Sequence, residues 1–204
     1  MLPMPKRGLY AITPEGKTFD EILEFTKAVL KGGACVVQYR DKTSNDTLTL
    51  ARKLLKLCHV YNVPLLINDN VEIAQKMGAD GVHLGKDDGD ITQARERLGT
   101  KAIIGVSCYN SLELALKAQS QGVNYVAFGR FFTSNTKPLA QQAEIGTLTA
   151  GKKILSLPIV AIGGILPTNG ATLIDAGADL LAVIGGLATP QPEITAQTYS
   201  ALFS

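Results

Sequence analysis

Polar residues stand at or just beyond the ends of four short apolar runs in this sequence. The runs are PLLIND (64–69), GVHLG (81–85), AIIGVS (102–107) and YVAFGR (125–130), and the polar residues are Asn68, Asp69, Asp88, Ser107 and Lys137. If the runs are parallel strands, these groups all emerge on one side of the molecule. Two carboxylates, a cation and small hydroxyl and amide groups around one cavity suit a phosphate ester bound with Mg²⁺.

The two carboxylates, Asp69 and Asp88, are the predicted metal ligands. Asp69 and Asp88 follow neighbouring strands and could share one hard cation, because Mg²⁺ commonly takes one or two carboxylates and completes its shell with water and substrate phosphates. A carboxylate at a buried strand end is costly unless something binds it. Structural alternatives stay open: Asp69 or Asn70 could cap a helix that begins at Val71, and Asp88 could lie in an exposed acidic turn or cap the next helix.

The segment from Gln38 to Lys42 could bind an anion. Alternation along a strand sends Gln38, Arg40 and Lys42 to the same side. With Gln38 facing the cavity, Arg40 suits bidentate contact with phosphate and Lys42 acts as a point charge. The alternative is a surface charge cluster in which Asp41 forms a salt bridge.

Glycine-rich loops predict a second phosphate site. GGILPTNG (163–170) and GGLATP (185–190) would follow the seventh and eighth strands, where barrel folds often bind phosphate. Bare glycine amides can approach phosphate oxygens closely, although tight turns also use glycine pairs. The loop after the sixth strand is either a lid or a solvated loop, and its polar residues are Arg130, Thr133, Ser134, Asn135, Thr136 and Lys137.

The site candidates need elements that bring the strand ends together. Near-continuous apolar runs predict buried strands at 8–13, 35–40, 64–69, 81–85, 102–107, 125–130, 159–164 and 180–185. Periodic segments predict helices at 18–31, 45–61, 71–78, 90–98, 111–121, 140–155, 168–176 and 192–203. Eight βα units predict an α/β fold, a single-domain (β/α)₈ TIM barrel over residues 1–204, with its site at the carboxyl ends of the strands. An open doubly wound sheet is the alternative, since it has the same local pattern.

Bulk properties exclude several classes of protein. The net charge is +2 and no basic run with interleaved aromatic residues occurs, so nucleic-acid binding is not expected. No membrane span and no signal peptide are predicted, which indicates a cytoplasmic protein. Three cysteines without C-x-x-C spacing indicate reduced thiols, although Cys108 could be a nucleophile beside the cavity. His83, within the fourth strand, is interpreted as a hydrogen-bonded histidine in preference to a catalytic base.

Together these motifs resemble the thiamine-phosphate synthase family, also called thiamine-phosphate pyrophosphorylase. The resemblance covers nearly the whole chain, and its carriers are QYRDK (38–42), LLINDN (65–70), GVHLGKDD (81–88), IIGVS (103–107), FGRFFTSNTK (128–137), VAIGGI (160–165) and LAVIGG (181–186). It implies a TIM-barrel transferase that uses Mg²⁺ to join a pyrimidine diphosphate to a thiazole phosphate, with release of pyrophosphate. The implied partners are these two small molecules, and a homo-oligomer is possible.

The resemblance also implies a role for each site residue. Asp69 and Asp88 match the magnesium ligands, and the matches to pyrimidine-diphosphate contacts are Gln38, Arg40, Lys42, Asn68, Ser107 and Lys137. Tyr39 and Asp41 in the same strand motif and Asn135 in the lid are expected beside the substrates. Arg40, Lys42, Ser107 and Lys137 are the expected catalytic groups, which hold the departing diphosphate. The thiazole-phosphate positions are Ser134, Thr136, Gly164, Ile184 and Gly185.

Three positions depart from the family pattern, and two other functions stay open. Ile184-Gly185 replaces the usual Val-Ser, Lys86 stands where Gln is frequent, and the lid reads FFTSNTK where FPTxTK is common. A thiazole tautomerase-like isomerase would need a base near the thiazole, whereas the fifth strand ends in GVSCYN. A non-catalytic phosphate-binding barrel would be expected to have lost Asp69, Asp88 or Lys137.

Overall fold

Strands and helices alternate along the whole chain of this computed structural model, which describes residues 1–40, 47–85, 90–133 and 142–204. The strands β1 to β8 are Gly8–Ile12, Val36–Tyr39, Leu65–Asn68, Gly81–Leu84, Ile103–Tyr109, Tyr125–Gly129, Ile159–Ile162 and Leu180–Val183. Each pairs in parallel with the next, and β1 pairs with β8, so the sheet closes into a barrel. This closure confirms the predicted (β/α)₈ TIM barrel and excludes the open sheet.

The helices follow the strands in turn. The helices α1 to α8 are Phe19–Lys31, Thr47–Val60, Val71–Met77, Ile91–Leu98, Leu112–Ser120, Ile145–Ile154, Pro167–Asp175 and Pro192–Ala201. A short 3₁₀ helix, Gly185–Leu187, lies between β8 and α8 and was not predicted. Within the described ranges, no helix is both long and apolar enough to cross a membrane.

Two apolar layers hold the barrel together. The outer layer packs helix residues such as Phe25 and Leu54 against alternate strand residues such as Leu65. The inner layer fills the barrel mainly with strand residues, including Tyr10 and Tyr125. Because strand side chains alternate between these layers, both faces of each strand are apolar, which explains why the strands are near-continuous apolar runs in the sequence.

The sixth helix begins later than its sequence pattern predicted. The predicted helix spans 140–155, but residues 142–144 are not helical and α6 begins at Ile145. The preceding residue, Glu144, makes no side-chain cap. Instead Asn110 Oδ1 accepts hydrogen bonds from Glu144 N at 3.0 Å and from Thr147 Oγ1 at 2.5 Å. A residue from a distant loop therefore anchors the start of this helix, which local sequence reasoning could not anticipate.

Asp80 joins three segments at the amino-terminal end of the barrel, opposite the strand ends predicted to form the site. Its carboxylate is fully buried. Oδ1 accepts from Leu2 N at 2.7 Å, and Oδ2 accepts from Leu65 N at 2.9 Å and lies 2.8 Å from His59 Nε2. A buried carboxylate is tolerated only when its lone pairs are hydrogen-bonded in this way.

We expect Asp80→Ala to lower the free energy of unfolding by about 3 kcal/mol, because it leaves buried backbone N–H donors without their acceptor. Urea denaturation measures the loss. Asp179→Ala is the matched control: Asp179 stands just before β8, as Asp80 stands before β4, and accepts from Ile159 N at 2.9 Å. Its side chain is 20% exposed and pairs with Lys152, so its loss should cost about 1 kcal/mol. Equal losses in the two variants would contradict this account of Asp80.

Candidate active site

The carboxyl ends of the strands bring together most of the described residues that the sequence predicted for the site. Asn68 ends β3, Ser107 lies within β5, and Arg40 directly follows β2. Gly164 and Gly185 follow β7 and β8, as predicted. Gln38 and Tyr39 lie in β2, Asp69 directly follows β3 and Ile184 directly follows β8. The other positions singled out in the sequence lie outside the described residues: Asp41, Lys42, Lys86, Asp88, Ser134, Asn135, Thr136 and Lys137.

Asp69 occupies an unusual backbone position at the end of β3. Its φ is 63°, in the left-handed region that few residues other than glycine, asparagine and aspartate adopt. Its N–H donates to His83 O at 2.8 Å, and Asn68 Nδ2 donates to its Oδ2 at 2.6 Å. Backbone strain of this kind is concentrated at functional sites. The structure therefore ties the Asp69 backbone to β4 and holds its carboxylate against the side chain of the preceding residue, Asn68.

Helix capping does not explain the two predicted metal ligands. Asn70 Oδ1 accepts from Ile73 N at 2.9 Å and caps α3, so the interpretation of Asp69 as the cap is wrong. Asp90 Oδ1 accepts from Gln93 N at 3.0 Å and caps α4. The capping position that was the alternative for Asp88 is therefore occupied by another aspartate.

Arg40 is buried and faces a carboxylate that the sequence analysis missed. Its Nη1 lies 2.6 Å from Glu15 Oε1, in the loop after β1. The N–H bonds of Nη1 nevertheless point at no acceptor among the described residues. Thr13 Oγ1 fixes the Arg40 backbone by accepting from its N–H at 2.9 Å. The guanidinium is thus held by charge attraction without a directed hydrogen bond, which leaves a buried donor for an anionic ligand.

A continuous series of hydrogen bonds crosses the interior of the barrel. Gln38 Nε2 donates to Tyr10 Oη at 2.7 Å, and Tyr10 Oη lies 2.8 Å from Tyr125 Oη. Tyr125 Oη lies 2.8 Å from His83 Nδ1, and His83 Nε2 lies 2.9 Å from Ser107 Oγ. We call these five residues the interior relay. The relay joins the predicted pyrimidine contact on β2 to the predicted diphosphate contact on β5.

Local features of β5 make the relay possible. The register places Gly105 opposite both His83 and Tyr125. A Cβ on Gly105 would lie 1.9 Å from Tyr125 Cζ, so only glycine leaves room for the tyrosine ring to stack on His83, with ring centroids 5.7 Å apart. A register shift between Ser107 and Tyr109 bulges the strand just beyond this point. Such bulges re-aim side chains next to active sites.

Burial argues against Cys108 as a nucleophile. Cys108 is buried, and its burial raises the pKa of the thiol to about 12. Burial likewise raises the pKa of Cys35 and of Cys58 to about 12. Because the thiolate is the reactive form, Cys108 is not a nucleophile at neutral pH. His83 is hydrogen-bonded at both ring nitrogens, as the sequence analysis expected.

The loop after β7 packs directly on the loop after β6. Gly163 and Gly164 have φ values of 102° and 64°. A Cβ on Gly164 would lie 2.3 Å from Thr133 O, and one on Gly163 would lie 2.3 Å from Arg130 Cβ. Both glycines are therefore required by backbone conformation and by close approach. This packing places the start of the predicted lid beside the predicted phosphate loop.

The glycine pair after β8 is not symmetrical. A Cβ on Gly185 would meet no atom of the described residues within 4 Å, whereas a Cβ on Gly186 would lie 2.2 Å from Tyr199 Oη and 2.7 Å from Ile165 O. Only Gly186 is required by packing. The departure of Gly185 from the family pattern therefore leaves open space where a serine side chain would fit.

The closed barrel and the polar groups at its strand ends define a TIM-barrel enzyme. Comparison with known proteins narrows the class. Residues 9–187 match the model of the family described as thiamine monophosphate synthase. The thiamine-phosphate synthase of Methylobacillus flagellatus is 50% identical over 203 residues, covering 98% of this chain and 97% of that protein. The thiamine-phosphate synthase of Methylococcus capsulatus is 49% identical over 185 residues, covering 90% of this chain and 83% of that protein.

A solved structure supports the same family. The thiamine phosphate pyrophosphorylase from Pyrococcus furiosus has a TM-score of 0.87 and 29% identity, and the match covers 97% of this chain and 96% of that one. The chain belongs to the thiamine monophosphate synthase family, and the resemblance found in its motifs is confirmed.

Proposed function

We propose that the chain is a thiamine-phosphate synthase. It joins 4-amino-2-methyl-5-hydroxymethylpyrimidine diphosphate to 4-methyl-5-(2-phosphoethyl)thiazole or its carboxylated form. The reaction releases pyrophosphate, and CO₂ from the carboxylated substrate. The observation that carries the proposal is the 50% identity to a thiamine-phosphate synthase across 97% of that protein. The placement of Arg40, Asn68, Asp69 and Ser107 at one end of the barrel supports it.

The residues present fit a magnesium ion. Asp69 offers a carboxylate at a strand end, and Asp88 is proposed as its second protein ligand. Such an ion would complete its shell with water and substrate phosphates, as Mg²⁺ commonly does. When bound, Mg²⁺ would neutralise charge on the diphosphate leaving group.

The chain's own residues would act by position and charge. Arg40 presents its unused guanidinium donor to a diphosphate oxygen, and Ser107 presents its hydroxyl to another. Lys42 and Lys137, by resemblance, add positive charge. The bond from the pyrimidine methylene carbon to the diphosphate oxygen breaks with its electron pair going to pyrophosphate. The lone pair of the thiazole nitrogen then forms the new C–N bond, so no side-chain nucleophile or base is needed.

The second substrate is proposed to bind through its phosphate. The loops that begin at Gly163 and Gly185 lie at neighbouring strand ends, since β7 pairs with β8. Their backbone amides would donate to the thiazole phosphate, with Ile184 beside them. Ser134 and Thr136 would contact the same substrate from the lid.

Gly185→Ser tests this phosphate site by restoring the hydroxyl that the family usually has. We expect the KM for thiazole phosphate to fall about fivefold, because one added hydrogen bond to a phosphate contributes about 1 kcal/mol, and kcat to stay unchanged. Steady-state kinetics with varied thiazole phosphate measure the effect. An unchanged or raised KM would show that the hydroxyl is dispensable here.

Gly186→Ser is the matched control for that substitution. The added side chain would overlap Tyr199 Oη and Ile165 O, so we expect a lower melting temperature and a higher KM. The contrast between adjacent positions separates a gain of a phosphate contact from a general effect of serine in this loop.

Pyrophosphate release tests the proposed function against its alternatives. A synthase releases one pyrophosphate for each turnover and requires both substrates and Mg²⁺. A tautomerase-like isomerase would convert the thiazole without the diphosphate, and a non-catalytic barrel would only bind. No release by folded protein with both substrates and Mg²⁺ would overturn the proposal.

The structure adds one observation on the isomerase alternative. A histidine does lie at the fifth strand end, since His83 of β4 reaches Ser107. Both of its ring nitrogens are engaged within the relay, so neither is directed at a substrate as a general base would be. The arrangement favours the synthase.

A further inference from the structure

We propose that the interior relay couples the two ends of the pyrimidine substrate: a donor group held by Gln38 sets Ser107 as a hydrogen-bond donor to the diphosphate. This inference rests on the proposed function and deepens it. It assigns to Tyr10, Tyr125 and His83 a positioning role, since these side chains act through Ser107.

The direction of the relay follows from counting protons. Each tyrosine hydroxyl has one proton to donate. Tyr10 accepts from Gln38 Nε2, so its own proton goes to Tyr125. The proton of Tyr125 then goes to His83 Nδ1, which makes Nδ1 an acceptor and places the imidazole proton on Nε2.

The last bond of the series fixes the serine. With its proton on Nε2, His83 donates to Ser107 Oγ, 2.9 Å away. Ser107 therefore accepts from the histidine, and its own proton is directed elsewhere. A hydroxyl that donates to a phosphate oxygen forms a strong charge-assisted hydrogen bond. In this direction, the relay prepares Ser107 for an anion.

Turning the Gln38 amide around would reverse every bond. Gln38 Oε1 would then accept a hydrogen bond from the Tyr10 hydroxyl, and Tyr10 would accept from the Tyr125 hydroxyl. Tyr125 would in turn accept from the N–H at His83 Nδ1. Ser107 would then donate to His83 Nε2 and would present only lone pairs to the diphosphate. A mixed state leaves two acceptors or two donors facing each other in a buried site, which is unfavourable. The relay therefore has two coherent directions.

The substrate can select between the two directions. Gln38 is 3% exposed, and within the described part of the chain no group donates to its Oε1. The proposed pyrimidine carries an exocyclic amino group, which is a donor. Its bond to Oε1 would hold Nε2 against Tyr10 and thereby favour the direction in which Ser107 donates. A pyrimidine without this amine would lose that bias.

The surroundings keep the relay intact. Tyr10 is 1% exposed and Tyr125 is fully buried. Burial raises the pKa of each tyrosine above its ordinary value, so both hydroxyls keep their protons. Gly105 supplies the space that the Tyr125 ring needs to reach His83. Because both tyrosines are buried, their hydrogen bonds to each other and to His83 lie in a low-dielectric interior, where such bonds are strong.

The histidine tautomer reports the direction of the relay. Nitrogen NMR of ¹⁵N-histidine protein at one fixed pH distinguishes a proton on Nε2 from one on Nδ1. The chain has two histidines, and the signals missing from His83→Asn identify His83. We expect the Nε2–H tautomer in the wild type when 4-amino-2-methyl-5-hydroxymethylpyrimidine is bound. In Tyr10→Phe the direction is no longer set, and we expect a mixture of both tautomers.

Pyrophosphate binding reports the consequence for Ser107. With 4-amino-2-methyl-5-hydroxymethylpyrimidine present, we expect Tyr10→Phe to weaken binding of Mg²⁺–pyrophosphate about twofold, because an equal mixture of the two directions leaves Ser107 able to donate in half of the molecules. In a Ser107→Ala background the same substitution should have no further effect, because the two changes act through one contact. A merely structural role for Tyr10 would weaken binding equally in both backgrounds.

Two further variants keep the test decisive. Tyr199→Phe removes another buried tyrosine hydroxyl, which donates to Ile165 O at 2.8 Å outside the relay, and should leave the His83 tautomer unchanged. Gln38→Met removes the donor that sets the direction and keeps both tyrosines. It should also give a mixture of the two tautomers, and it takes the place of Tyr10→Phe if that variant does not fold. An unmixed Nε2–H tautomer in Tyr10→Phe and in Gln38→Met, with pyrophosphate affinity equal to that of the wild type, would overturn the relay. Neither readout depends on turnover, so failure of the proposed synthase activity would be seen separately.

Discussion

Asp69→Asn is expected to reduce synthase turnover by roughly 100-fold or more, because a metal that neutralises a leaving group contributes several kcal/mol to the transition state. The substitution removes one negative charge from the proposed magnesium site. Asparagine also adopts the left-handed conformation found at this position, so the backbone should be preserved. Kinetics at varied Mg²⁺ should show a weakened dependence on the metal. Asp69→Ala is expected to lose as much activity, with a small added loss of stability from backbone strain.

The adjacent residue provides the control for Asp69. Asn70→Ala removes the cap of α3 and should cost about 1 kcal/mol of stability, with turnover and magnesium dependence kept. Together the two variants separate the metal site from local folding of the same turn. Wild-type rates and magnesium dependence in Asp69→Asn would remove Asp69 from the metal site.

Arg40→Met is the second substitution with a large expected effect. We expect kcat/KM for the pyrimidine diphosphate to fall roughly 100-fold, because a buried charged donor to phosphate contributes about 3 kcal/mol. Methionine keeps much of the apolar stem, so the fold should be retained. Pyrophosphate affinity measured by calorimetry checks the loss without relying on turnover. A fall in kcat/KM of less than about threefold would exclude Arg40 from the diphosphate contact.

Glu15→Gln is the matched change on the other side of that pair. The Glu15 carboxylate lies 2.6 Å from Arg40 Nη1 and competes with an anionic ligand for the guanidinium. Removing its charge should tighten pyrophosphate binding modestly, by about twofold to threefold, since the exposed half of the pair is screened by solvent. Weaker binding in Glu15→Gln would show that Glu15 positions Arg40 for the ligand.

The barrel could be predicted because its strands are buried on both faces. Runs such as GLYAIT and LLAVIG are almost entirely apolar. The closure of the sheet, in which β1 pairs with β8, is the feature that only the structure could establish. Strand ends then located Asn68, Asp69 and Ser107 correctly, because parallel strands in a barrel all end on one face. The fold and much of the site follow from one periodicity and one geometric rule.

The interior relay could not be predicted from the same pattern. Tyr10 and Tyr125 fit an apolar strand run, and nothing local indicates that their hydroxyls meet at 2.8 Å across the barrel. The sequence does not show that Gly105 must lack a side chain, because that requirement comes from its contact with the Tyr125 ring. Glu15 was missed for a related reason, since its pairing with Arg40 depends on the path of a loop. Long-range contacts of this kind leave no regular spacing in the sequence from which they could be predicted.

We propose that this chain makes thiamine phosphate at the carboxyl ends of its strands. The most direct test of this proposal is chromatographic and mass-spectrometric measurement of thiamine phosphate formed by the purified protein from both substrates with Mg²⁺. We predict one thiamine phosphate for each pyrophosphate released by the wild type, and a rate at least about 100-fold lower in folded Asp69→Asn. No thiamine phosphate from folded wild-type protein, or equal rates in the two proteins, would contradict the account.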